Sequence, residues 1–180
     1  MRATISVLSF FIATHLCIAQ ENFTPPCLQP EHDNIKYLSG QWKVTSRKLK
    51  DVKNDEWEES SAIAIWERQL KGCLWTEHWE GIIDECPLKW VQHLTFDNRN
   101  KQWQQAMIDS AHGNIITTNG FYQNNELVFS LAQHRKGNLL IDKTIFQFIS
   151  ENLFEWEVQS SFDGGQSWTT FWTMKYERIK

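Results

Sequence analysis

The sequence predicts an all-β fold: a closed antiparallel up-and-down barrel of about ten strands with a short N-terminal helix. Three observations carry this. From Gln41 onward apolar and polar residues alternate with period two almost to the C-terminus, the spacing of half-buried strands. The connections between apolar runs alternate between tight Gly/Asn/Asp turns and longer loops, as in a meander whose two ends differ. The strand count is even, so the first and last strands can pair antiparallel and leave no bare edge.

The elements follow in order. Met1-Arg2 precedes an apolar run from Val7 to Ala19, and Cys17-Ile18-Ala19 offers small residues at the positions a signal peptidase reads. Residues 1–19 are therefore expected to be a signal peptide. The run is too short for a transmembrane helix, and no other stretch qualifies, so a secreted or periplasmic protein is expected. Residues 20–40 form a lead-in segment, and Asn22-Phe23-Thr24 is a glycosylation sequon. Pro30–Leu38 is expected to be a short helix, with Pro at its start and Gly40 just past its end.

Residues 41–180 supply the strands. These are expected at 41–48, 57–69, 73–80, 88–96, 101–108, 114–122, 126–134, 143–149, 153–160 and 168–179. The ninth alternates most cleanly: Phe154, Trp156 and Val158 on one face, Glu155, Glu157 and Gln159 on the other. Gly120 marks an expected bulge or bend in the sixth strand. Tight turns at 70–72, 97–100, 123–125 and 150–152 seal one end. Longer loops at 49–56, 81–87, 109–113, 135–142 and 161–167 ring the other.

Composition narrows the function classes. Net charge is −4, and cleavage of the leader removes one Arg and no acid, so nucleic acid and anionic membranes are not expected partners. Ten tryptophans are far above ordinary usage. Buried aromatics fill a core, and they also line ligand pockets at low side-chain entropy cost. Beyond the leader the cysteines are Cys27, Cys73 and Cys86, and export permits a disulfide. Cys73 opens the third strand at the sealed end, whereas Cys86 lies a strand length away at the loop end, beyond disulfide reach. The helix before Trp42 sits at the sealed end and Cys27 leads into it. The expected bridge is Cys27–Cys73, with Cys86 free.

Gly40-Gln41-Trp42 after a short helix resembles the lipocalin and wider calycin signature. The resemblance implies that Trp42 plugs the barrel floor under an Arg from the final strand, here Arg178. Leu38 to Trp42, Phe96-Asp97-Asn98 with Trp103 and Ile108-Asp109, and Ser161 to Arg178 also resemble a secreted bacterial family of unknown function with calycin-like barrels. That resemblance implies fold and supplies no catalytic residues. Ser161 to Trp168 resembles the Asp-box of sialidase-like propellers. One copy without a repeat reads instead as a hairpin turn held by Asp163.

The expected site is one cavity inside the barrel, entered from the loop end. Its expected walls are Trp75, Trp79, Trp90, Trp103, Met107, Phe129, Trp156 and Trp172, with Glu77, Gln92 and Gln105 as polar anchors for a small apolar molecule. Glu77 faces in if Trp75 and Trp79 do; the alternative register turns Thr76 and His78 inward. A carboxylate among tryptophans has a raised pKa and suits acid–base chemistry, which makes a barrel isomerase or cyclase using Glu77 the catalytic alternative. A haem-binding barrel using His112 or His134, and an envelope scaffold without ligand, are further alternatives. No metal is expected, since His78, His93, His112 and His134 have no ligand spacing. No cofactor is assigned.

Overall fold

The computed structural model describes residues 23–135 and 137–180, so the expected signal peptide and the Asn22 acceptor lie outside the described residues. Ten antiparallel strands close into one barrel. They are β1 (Gly40–Asp51), β2 (Glu56–Gln69), β3 (Leu74–Ile83), β4 (Cys86–Asp97), β5 (Gln102–Asp109), β6 (Ile116–Gln123), β7 (Glu126–Arg135), β8 (Asn138–Ser150), β9 (Leu153–Ser161) and β10 (Thr169–Arg178). Each strand pairs with its sequence neighbours, and β1 closes on β10 with Trp42 opposite Arg178. Among the described residues no helix is long and apolar enough to cross a membrane.

Pro30–Leu38 is a 3₁₀ helix that seals one end. Its Ile35 and Leu38 are buried in the floor. The indole Nε1–H of Trp42 donates to Leu38 O at 2.8 Å. The guanidinium carbon of Arg178 lies 4.3 Å from the Trp42 ring centroid. Arg178 also donates to Ser39 O at 2.6 Å, to Glu151 O at 2.9 Å and to Tyr37 O, tying β10 to the helix and to the β8–β9 turn. Trp42 therefore lies beneath Arg178 at the sealed end, the placement expected for this pair. Cys27 and Cys73 are joined with their Cα atoms 5.7 Å apart, which pins the lead-in beside the start of β3. Cys86 is free and exposed.

The strands depart from the sequence reading at their ends. The expected 81–87 loop is only the two-residue turn Asp84-Glu85. Both residues take positive φ (51° and 62°), the primed geometry that matches strand twist. β-Branched Ile82 and Ile83 therefore extend β3 to the turn. The expected 135–142 loop shrinks similarly, because β8 begins at Asn138. The loop end is thus ringed mainly by residues 110–115 and 162–168. Trp168 falls in the latter loop instead of β10. It packs over the outer face of β8, with Lys143 Nζ 3.6 Å from its ring centroid.

Gly120 forms no bulge, since register runs unbroken on both sides. A Cβ there would collide with the Val128 carbonyl and stand 2.7 Å from the Phe129 ring. The glycine allows close approach between strands rather than a bend.

Candidate functional site

Alternation from β1 to β10 assigns the inner face, and depth along the barrel divides that face into three layers. The lowest is packed solid. Trp42, Trp66, Trp75, Leu94, Trp103, Phe129, Phe146, Phe154 and Tyr176 are each at most 1 % exposed. Phe154 stacks on Tyr176 with centroids 4.2 Å apart and meets Trp42 edge-on at 4.8 Å. His32 of the 3₁₀ helix, which sequence reasoning missed, completes the floor. Gln29 N–H donates to its Nδ1, so its Nε2–H is the donor to Cys73 O at 3.1 Å. Its ring meets Trp103 edge-on at 5.6 Å. The Pro at the helix start and the adjacent disulfide were the only hints that this turn is buried.

The middle layer is polar. Glu77 faces inward with no exposure, while His78 is exposed on the outside. Thr76 also faces out, but it is covered by Gln69 and His93. Glu77 Oε2 accepts from Trp90 Nε1 at 2.8 Å and from Gln92 Nε2. Gln105 Nε2 donates to Gln92 Oε1 at 2.7 Å, and Thr118 Oγ1 donates to Gln105 Oε1 at 2.9 Å. One hydrogen-bonded line thus crosses β3, β4, β5 and β6. Burial pushes the Glu77 pKa up to about 7, against the opposing donors Trp90 and Gln92. Burial, together with the Glu77 charge, also pushes the Tyr176 phenol up.

Above this line lies a layer of indoles. Trp79 and Trp90 stack with centroids 3.9 Å apart. Trp172 stands edge-on to Trp90 at 5.8 Å and to Trp156 at 5.5 Å. Gly81 makes this possible: a Cβ there would stand 2.6 Å from the Trp79 ring, so the glycine lets that ring lie against the wall. The Trp90 ring is fixed through Glu77, and Trp172 through an Nε1–H donated to Ser46 Oγ at 2.8 Å.

The loop-end layer is open. Met107, Thr118, Leu131, Asp142, Thr144, Val158 and Trp172 all occupy inward register positions, yet each is only half-buried. They form a bowl above the indoles. On its β1, β3, β4, β5 and β10 side lies a hollow of about 410 Å³, lined by Lys48, Ile83, Leu88, Trp90, Met107 and Trp172 with Asp84, Asp109 and His112 at the rim. Lys48 Nζ pairs with Asp84 at 2.5 Å. His112 Nδ1 lies 3.1 Å from Asp109, and His134 is exposed. On the far side Asp142 accepts from Ser160 Oγ at 2.5 Å and from Gln133 Nε2 at 3.3 Å.

The expected wall residues therefore separate by depth. Trp75, Trp103 and Phe129 belong to the packed floor, and Glu77, Gln92 and Gln105 to the sealed polar line. Trp79, Trp90 and Trp156 form the indole layer, and Met107 and Trp172 reach the bowl itself. Sequence reasoning missed Leu131, Asp142, Thr144 and Val158. Their alternation was visible, but nothing local marks a residue as high in the barrel.

Asp163 holds the Ser161–Trp168 turn. Its Oδ1 accepts from Ser161 Oγ at 2.8 Å and from the Gln166 and Ser167 amides at 2.9 Å each; its Oδ2 accepts from Ser167 Oγ at 2.6 Å. These donors, Ser167 foremost, hold the carboxyl well below the usual carboxylate range. Among the described residues no group of three His, Cys, Asp or Glu side chains is placed to hold a metal. A second hollow, an open trough of about 560 Å³ on the outer face, is lined by Ile63, Ile65, Val91 and Ile108 with His78, Glu80 and Lys89.

Among solved structures, EF1p2_mFAP2b bound to DFHBI is similar at 12 % identity and a TM-score of 0.47, covering 82 % of this chain and 98 % of that one. The S-type phycobiliprotein lyase CPES from Guillardia theta is similar at 10 % identity and a TM-score of 0.48, covering 83 % and 91 %. No curated protein matches the sequence. Residues 28–178, from just past Cys27 to the floor arginine, match the family described as "Protein of unknown function (DUF1579)", and the chain belongs to that family.

Proposed function

We propose that this chain is an exported binding barrel that holds a small apolar or aromatic molecule in the bowl at its loop end. The observation that carries the reading is the change in packing with depth: a solid aromatic floor, then Trp90 and Trp172 fixed by hydrogen bonds, then inward-facing side chains that remain half-buried. A barrel that used its rings only as filling would bury those upper positions too. The hollow of about 410 Å³ falls within the range of small-molecule sites. Burial of about 300 Å² of ligand surface at about 25 cal/mol/Å² gives roughly 7.5 kcal/mol before association costs, which sets a ceiling of about 3 μM on affinity from burial alone. The apolar leader at Val7–Ala19 and the Cys27–Cys73 bridge support a secreted or periplasmic setting.

Glu77 serves this site from beneath by fixing Trp90. Acid–base chemistry would need its carboxylate to touch the ligand, and the carboxylate is sealed under the indoles. Titration of tryptophan fluorescence with fatty acids, retinoids, haem and aromatic metabolites tests the reading. Saturable quenching by at least one compound, weakened about tenfold in Trp172→Ala, is expected. A flat response to the whole panel would overturn it.

A further inference from the structure

The barrel wall is incomplete on one side. β6 and β7 pair from Gln123 opposite Glu126 as far as Asn119 opposite Ser130, and the pairing stops there. Both strands nevertheless continue, β6 back to Ile116 and β7 on to Arg135. Extending the register would put Thr118 opposite Leu131 and Ile116 opposite Gln133. Those residues keep their partners on the other side: Thr118 with Gln105, Ile116 with Met107, Leu131 with Asp142 and Gln133 with Leu140. The strands therefore diverge as intact walls and do not fray. The three unpaired residues of β6, Ile116 to Thr118, at about 3.3 Å rise give a slit roughly 10 Å long.

Exposure marks the slit as open. Ile116 is 42 % exposed although its register position faces inward, and its neighbour Ile115 is 68 % exposed. Gln133 is exposed, and Thr118 and Leu131 are half-buried. Just below, where pairing resumes, inward Gly120 and Phe129 are buried. Thr118 and Leu131, which flank the slit, are also inward residues of the loop-end layer. One lip carries Thr118 bonded to Gln105; the other carries Gln133, which donates to Asp142 of the adjacent β8, and Asp142 also accepts from Ser160 of β9. These groups can exchange hydrogen bonds with a polar head, while the Asp142 carboxylate repels an anionic one.

Resting on the binding reading above, we infer that the β6–β7 slit is the head-group site for an elongated amphiphile with an uncharged polar head. Its apolar body lies on the indole layer and its head sits at the slit. Retinol and retinoic acid share one apolar body and differ in the head, so they serve as probes. Retinol is expected to bind about tenfold more tightly than retinoic acid at neutral pH. Ile116→Trp fills the slit and should weaken retinol about tenfold with the melting temperature unchanged. Asp142→Asn removes the charge beside the slit and should bring retinoic acid to within about threefold of retinol. Unchanged retinol affinity in Ile116→Trp would overturn the slit as the head-group site, and equal affinity of the wild type for the two retinoids would overturn the preference for an uncharged head. If retinol fails to bind while another aromatic compound quenches the indoles saturably, this inference falls and the binding reading stands. If no compound binds, both fall.

Discussion

Replacing Glu77 by Gln removes one buried charge and keeps its volume and an acceptor for Trp90. Glu77 has an ordinary pKa of 4.5, pushed up to about 7 by burial. The folded chain therefore holds this proton more tightly than the unfolded chain. The stability linked to Glu77 is greatest below pH 4.5, declines as pH rises to about 7 and then levels off. At 1.36 kcal/mol per pH unit the decline totals about 3 kcal/mol. Glu77→Gln does not titrate. Relative to wild type, the variant should thus gain about 3 kcal/mol between pH 4.5 and pH 8, becoming at least as stable as wild type above pH 7. Guanidinium unfolding at several pH values, followed by tryptophan fluorescence, measures both curves. The difference between them isolates Glu77 from every other titrating group. Parallel curves for wild type and variant would refute the reasoning, because they would mean that Glu77 ionises as freely folded as unfolded.

Gly120→Ala forces a methyl group against the Val128 carbonyl and the Phe129 ring and should cost about 1–3 kcal/mol, read as a lower melting temperature. Arg178→Ala removes the cation over Trp42 and three hydrogen bonds to backbone carbonyls; a loss of about 2–3 kcal/mol is expected in the same assay. Reduction of Cys27–Cys73 frees a loop with a sequence separation of 46, for which chain entropy sets a ceiling of about 4 kcal/mol, visible as a shift in the denaturation midpoint. Peptide mapping without reductant should recover Cys86 as a free thiol.

Much of the architecture is legible in the chain because period-two alternation survives in nearly every strand. The floor is legible for a different reason: Gly40-Gln41-Trp42 and Arg178 stand at the two ends of the strands that close the barrel. Alternation also ties the side of Glu77 to that of Trp75 and Trp79, but it leaves open which side is inward; the structure turns all three in. Alternation says nothing about depth. Whether Trp103 or Trp172 lies nearer the mouth depends on the stagger of one strand against the next, which is set by turns such as Asp84-Glu85 that look like ordinary loop in the sequence. The slit is invisible for a related reason. Ile116, Thr117 and Thr118 are β-branched and read as good strand, and their failure to pair with β7 is a property of the closed sheet. His32 was missed because a lone His in a polar helical turn gives no sign that it lies over Trp103.

The central claim is that the bowl, and not the outer trough, is where a ligand sits. Two-dimensional NMR of isotope-labelled protein during titration with retinol tests it most directly. The account predicts that the largest shifts fall on the Trp172 indole and on the methyl groups of Met107, Leu131 and Val158. Shifts confined to Ile63, Ile65, Val91 and Ile108 on the outer face would contradict it.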